Sequence, residues 1–264
     1  GGDELFAGYE RYQAMLGSEA YHKMPAVIRN AISSFAGMLP DSINPKNQMR
    51  KVKRLFNAIN LPKGERYLRW IGMLNEPLKR ELYSDDFLRS VSAESPLEFI
   101  NPFLNNDNNL LLTDALLYTD TMTYLPNDLL VKVDIASMAN SLEARSPFLD
   151  HKLMEFTARL PANYKLRMFS KKHILKKAVK GFIPRQILNR KKMGFGVPVG
   201  RWFRNELKGL LKDTLLSDKS LSRGYFKPDG VKLMVKQHVD QQKDYTFSLW
   251  TLLMLELWHN RFID

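Results

Sequence analysis

Two glycines and two carboxylates open this chain, in the run Gly1-Gly2-Asp3-Glu4-Leu5-Phe6. Glycines let a backbone come close to a ligand, and the first amides of a helix attract phosphate. An aspartate placed there can hold a Mg2+ ion that also binds phosphate oxygens. The same residues also suit a helix start, with Asp3 as cap and Glu4 complementing the dipole.

A second set is basic: Lys171-Lys172-His173, Lys176, Lys177, Lys180, Arg185 and Arg190-Lys191-Lys192. At a spacing of four, Lys172, Lys176 and Lys180 share one helix face. That face suits a solvated surface, a nucleic-acid footprint or a polyphosphate clamp. Lys192 enters the glycine-containing loop Met193-Gly194-Phe195-Gly196-Val197-Pro198, where it could stabilise charge on a leaving pyrophosphate. A third set, Ser141 to Asp150, holds Glu143 and Arg145 between apolar residues, as a structural ion-pair corner or as ligand contacts.

Several chemistries are excluded. The 264 residues contain no cysteine, so thiolate nucleophiles, disulfides and zinc–cysteine sites are out. His22, His151, His173, His238 and His259 lack metalloprotease spacing, and neither a GxSxG elbow nor a complete P-loop is present. The net charge of +12 favours an anionic partner: nucleic acid, anionic lipid or a phosphorylated small molecule. The Phe247–Trp258 stretch is too short to cross a bilayer and reads as a buried helix.

The elements that must position these groups read as helices almost throughout, with 44% hydrophobic residues to supply a core. Helices are expected over Asp3–Leu16, from Val27 to a stop at Pro40, over Pro45–Ile59, Gly64–Leu74, Pro77–Tyr83, Asp107–Tyr118, Asn127–Ser141 and Asp150–Leu160. Further ones are expected over Lys171–Lys180 (capped by Ser170, ended by Gly181), Trp202–Leu216, Pro228–Val239 and Tyr245–Phe262. The Trp and Met residues, at helical spacings, are expected in the core. No alternating strands or fixed-period repeats are visible, and one mostly helical unit over residues 1–264 is the simplest description.

Three segments in order resemble the glutamine-dependent asparagine synthetases. Gly1 to Tyr12 is similar to that family's GDGGDELFGGYxRY segment. Tyr124-Leu125-Pro126-Asn127-Asp128-Leu129-Leu130 through Asp150 is similar to its YLPxDLLxKxDRxSMxxSLEARxPFLD stretch. Lys172 to Lys176, with Arg190 to Pro198, is similar to its KxxLK…RxKxGFxxP motif. The resemblance implies the mainly α, C-terminal part of an α/β adenine-nucleotide α-hydrolase-like (PP-loop) synthetase domain, whose parallel sheet would lie mostly upstream.

It also implies a reaction. ATP adenylates the side-chain carboxylate of aspartate, and ammonia, usually from a glutaminase domain acting on glutamine, displaces AMP to give asparagine. By the match, Asp3 is the Mg2+–pyrophosphate ligand, Glu4 supports it, and Lys192 contacts pyrophosphate and stabilises the adenylation transition state. Lys132, Glu143 and Arg145 fall on active-site-side positions. A cytoplasmic location and a homodimer are further expectations.

This sequence departs from the pattern at Ile135 and Ser146, where the family has Arg and Val, and the SGGxDS pyrophosphate loop is not among the 264 residues. The 264 residues alone are therefore expected to bind ATP poorly and not to turn over. Relatives that modify sugars or build β-lactams by the same logic leave the acceptor carboxylate open. Two other readings are a GGDEF-type nucleotide cyclase, for which Leu5 replaces the motif's Phe, and a basic helical nucleic-acid-binding module.

Overall fold

A computed structural model describes residues 1–38, 48–91, 95–105, 110–167, 170–190 and 196–264. The expected stop at Pro40, the starts at Pro45 and Asp107, and Lys192 lie outside the described residues. The chain is helical among the described residues, and its only β pairings there are three isolated bridges. It divides into two compact units, one formed by residues 1–34, 58–70 and 96–192, the other by 35–57, 71–95 and 193–264.

The helices of the first unit include α1 (Gly2–Leu5), α2 (Glu10–His22), α3 (Lys63–Ile71), α4 (Pro96–Leu104), α5 (Leu112–Met122), α6 (Val131–Met138), α7 (His151–Arg159) and α8 (His173–Ala178). α5 is its centre and packs on α1, α2 and α4. Its buried face carries Thr113, Leu116, Leu117 and Asp120, a spacing of three and four residues. Tyr12 and Met15 of α2, Tyr67 of α3 and Ile100 and Leu104 of α4 complete that core.

The single helix expected over Asp3–Leu16 is instead two. Gly8 N–H reaches back to the Asp3 carbonyl at 2.8 Å, with Ala7 between them at φ 55. This is the left-handed termination that closes a helix C-terminus. Gly17, expected to punctuate, lies inside α2, because nothing crowds it and one glycine costs a helix only about 1 kcal/mol.

The expected Asn127–Ser141 helix starts earlier, as a π-helical turn over Leu125–Leu130 that runs into α6. Pro126 sits in the first turn, where its missing N–H removes no ladder bond. The helix expected over Lys171–Lys180 is shortened to α8, because Lys172 takes φ 53, ψ 38 and Ser170 provides no cap. Gly181, at φ 98, follows it as expected. Asp150 caps α7 by accepting from the Leu153 N–H at 3.1 Å.

The second unit is built around helices Lys208–Leu215, Pro228–Val239 and Thr246–Phe262. They bury Leu211, Leu215, Val231, Met234, Val235, Leu249, Leu252 and Leu253 together with Leu82 and Phe203. The helix expected over Trp202–Leu216 breaks into Val199–Arg204 and Lys208–Leu215. The C-terminal helix is half-buried rather than buried: Leu249, Leu252, Leu253 and Glu256 face in, while Trp250, Trp258 and Phe262 are exposed. Met38, Met73, Met122 and Met138 are exposed as well. Helical spacing shows that residues share a face; burial also needs a partner for that face, so the core expectation fails for these residues.

No described helix is long and apolar enough to cross a membrane.

Candidate functional site

The first unit brings three separated sequence segments to one place. Gly1 and Gly2 pack against Phe148 and Leu149; a Cβ on Gly1 would stand 2.7 Å from Leu149 Cδ2 and 3.0 Å from the Phe148 carbonyl oxygen, so a side chain there would have to push the leucine tip aside. The Phe6 and Phe148 rings meet edge to face at 5.9 Å. From the other side the Lys172 backbone N–H donates to the Phe6 carbonyl at 3.0 Å. The opening motif is thus held between the Pro147–Asp150 corner and the start of α8.

That backbone contact sets the chemistry. Lys172 is in the left-handed region, which costs a non-glycine residue roughly 1 kcal/mol or more. In this conformation its ammonium lies 2.8 Å from Asp3 Oδ1, both side chains being partly exposed, at 31% and 20%. Gly8 makes room for the pair: a Cβ there would overlap the Asp3 carboxylate and stand 2.5 Å from Lys172 Cε. A carboxylate, an ammonium and a bare backbone therefore share one partly open spot.

Glu4 is turned away from solvent. It is 1% exposed, and its carboxylate accepts a short hydrogen bond from the Tyr9 hydroxyl. Burial, then Glu4 itself, pushes the Tyr9 phenol far above its ordinary pKa, so Tyr9 remains a donor. Beside it the Arg11 guanidinium sits 3.8 Å from the Tyr9 ring centroid and 4.7 Å from that of Tyr124. Arg11 donates to Asp120 Oδ2 from Nε at 3.1 Å and from Nη2 at 2.7 Å. Tyr12 and Tyr67 also donate to that carboxylate, which is fully buried.

The remaining sequence candidates are placed differently. Lys132 is exposed on α6. Glu143 and Arg145 pair with each other at 2.7 Å, with side chains 67% and 85% exposed. Lys192 lies outside the described residues. Sequence reading did not single out Asp120, although its spacing from Leu116 and Leu117 put it on the apolar face of α5. Lys172 was visible as one member of a basic face and as the first lysine of the KxxLK resemblance, without a role of its own.

Mg2+ takes one or two carboxylates and fills its shell with water and phosphate oxygens. The donor set around Asp3 fits an ion carried in with a polyphosphate: one partly exposed carboxylate already balanced by a cation. Among the described residues no group of three or more His, Asp or Glu side chains forms a cage.

The comparisons agree with the three segments. The chain is 27% identical to asparagine synthetase (glutamine-hydrolyzing) 1 of Bacillus subtilis, over 98% of its own length and 39% of that protein. A second B. subtilis relative, asparagine synthetase (glutamine-hydrolyzing) 3, is 31% identical over 46% of this chain and 20% of its own length. Amidase chyE of Penicillium rubens is 25% identical over 85% of this chain and 35% of its own. The chain thus spans about two fifths of the first of these relatives. No solved structure matches it. The asparagine synthase family profile matches residues 1–260, and the chain belongs to that family.

Proposed function

We propose that this chain supplies the pyrophosphate-handling part of an ATP-dependent ligase that turns aspartate into asparagine. The observation that carries the proposal is the Asp3–Lys172 pair under Gly8, together with family membership. In the reaction, an aspartate carboxylate oxygen attacks the α-phosphorus of ATP. The bond from that phosphorus to the bridging oxygen breaks, and pyrophosphate leaves with the electron pair. Ammonia then attacks the activated carbonyl carbon, the bond to AMP breaks, and a proton is lost from nitrogen.

Charge builds on pyrophosphate in the first step, so fixed cations and a metal carboxylate are the groups needed. Mg2+, when bound, neutralises phosphate oxygens. Asp3 would hold that ion, and the Lys172 ammonium beside it would offer a cation to a phosphate oxygen. Glu4, fixed by Tyr9, keeps the turn of α1 that presents Asp3. Lys192 is assigned to pyrophosphate in the same step, and Lys132, Glu143 and Arg145 to the nucleotide side. The ammonia source is a glutaminase domain of the whole protein, in keeping with relatives named glutamine-hydrolyzing. The protein works in the cytoplasm, as a homodimer.

The test is calorimetric titration of the whole protein with Mg2+–pyrophosphate. Binding that requires Mg2+ and is lost in Asp3→Asn is expected. Absence of binding, or equal binding by Asp3→Asn, overturns the assignment of this site. In the whole protein, aspartate-dependent exchange of labelled pyrophosphate into ATP tests the acceptor. The amidase relatives motivate a second reading, in which a different carboxylate alone supports exchange.

A further inference from the structure

Asp120 is fully buried near the C-terminal end of α5 and accepts from three separate side chains beyond its own helix. Oδ2 takes both Arg11 contacts and the Tyr12 hydroxyl, while Oδ1 takes the Tyr67 hydroxyl. A buried carboxylate is costly unless its lone pairs are filled and its charge is balanced. Here both conditions are met, and they are met by α2 and α3. Burial opposes the charge on Arg11, but Asp120 outweighs it and keeps the guanidinium charged; burial also raises the Asp120 pKa, against the opposing pull of Arg11, Tyr12 and Tyr67.

What distinguishes this from a purely structural pair is the other side of Arg11. Its guanidinium is 3.8 Å from the centroid of Tyr9 and 4.7 Å from that of Tyr124, and those two rings meet edge to face at 6.0 Å. A guanidinium held over an aromatic ring is attracted by it, more strongly when desolvated. Arg11 is only 11% exposed. Tyr9 in turn donates to Glu4, next to Asp3 in the chain.

We propose that Asp120 is a positioning residue for the Asp3–Glu4 turn, acting through Arg11 and Tyr9. The chain of contacts runs Asp120, Arg11, Tyr9, Glu4, with Asp3 and its Lys172 partner at the end. Without the Asp120 charge, Arg11 is left nearly buried without a counter-ion and turns out to solvent. Tyr9 then loses its clamp, and the direction of the Asp3 carboxylate is no longer fixed. The inference rests on Asp3 being a pyrophosphate-site carboxylate.

Two measurements test it. In chain labelled with 3-fluorotyrosine, the 19F resonance that disappears in Tyr9→Phe reports the clamp without any ligand. It is expected to shift in Asp120→Asn and to stay in place in Leu117→Ala, a variant of the same helix that also loses core packing. With Mg2+–pyrophosphate, Asp120→Asn is expected to weaken binding about tenfold, since small misplacements of a site cost that much. Leu117→Ala is expected to bind within about twofold of the unaltered protein, because it deletes none of the side chains that link Asp120, Arg11 and Tyr9.

An unmoved Tyr9 resonance together with unchanged pyrophosphate affinity in Asp120→Asn overturns the inference. If the unaltered whole protein fails to bind pyrophosphate, the site assignment fails, and the Tyr9 resonance alone decides the positioning. If Asp120→Asn does not fold, Arg11→Lys, which keeps the charge and loses the planar fork, takes its place. It must shift the Tyr9 resonance; no shift overturns the inference.

Discussion

The Lys172 ammonium lies 2.8 Å from Asp3 Oδ1, and the Lys172 backbone is held left-handed by its hydrogen bond to the Phe6 carbonyl. Residues far apart in sequence are thereby joined twice, once through the main chain and once through charge. The strained backbone is what brings the side chain back over the opening turn.

Lys172 can be separated into these two roles. Lys172→Ala removes the ammonium and keeps the left-handed cost, whereas Lys172→Gly removes both. Glycine adopts φ 53 without penalty, so Lys172→Gly is expected to unfold at higher urea than Lys172→Ala, by roughly 1 kcal/mol. The two variants are expected to lose Mg2+–pyrophosphate binding equally. Equal stability would remove the strain argument, and retained binding the ligand role.

Gly8→Ala places a methyl group on the Asp3 carboxylate and against Lys172 Cε. Asp3 must turn aside, and the pair opens. A stability loss of about 1–3 kcal/mol is expected from overpacking. Loss of Mg2+-dependent pyrophosphate binding should accompany it. A denaturation curve and one titration check both.

Tyr67→Phe tests the buried carboxylate. It deletes a donor to Asp120 Oδ1 and leaves the Arg11 contacts on Oδ2 in place. A hydrogen bond to a charged group contributes about 1.5–3 kcal/mol, and the variant is expected to lose that much unfolding free energy. Combining it with Tyr12→Phe should depart from additivity, because both phenols serve one carboxylate.

His238 gives the second unit a pH dependence. It is fully buried; Nδ1 accepts from the Tyr245 N–H at 3.1 Å, and Nε2 donates to the Gly200 carbonyl at 3.2 Å. Burial first, and Arg204 second, depress its pKa below 6.5, while Gly200 and Asp244 oppose them. Below pH 6.5 the unfolded chain therefore takes up a proton that the folded one refuses. Stability is expected to fall as pH drops from 6.5 to the lower folded value, by at most about 1.4 kcal/mol per pH unit. Subtracting the stability profile of His238→Asn should isolate this slope; a difference that stays flat across that range removes it.

Much of the helical organisation was legible in order and period. The Pro228–Val239 helix occupies the span read from the sequence, and the Asp150 cap is where a capping residue should be. The family pattern named Asp3 because its motif is contiguous. Lys172 belonged to a run of lysines that spacing alone could not rank. What singled it out was a left-handed backbone angle and the absence of a Cβ on Gly8, both consequences of segments meeting in space.

Local sequence determined which residues could be helical, which faces were apolar and which short motifs held the carboxylates and lysines. Periodicity and capping act within a few residues, so those features need no distant partner. Only the tertiary structure decided that Glu4 is buried against Tyr9, that Asp120 gathers Arg11, Tyr12 and Tyr67, and that Trp258 and Met138 stay exposed. Each of these depends on which surface covers which, and a burial cost or an ion pair exists only once two remote segments are in contact.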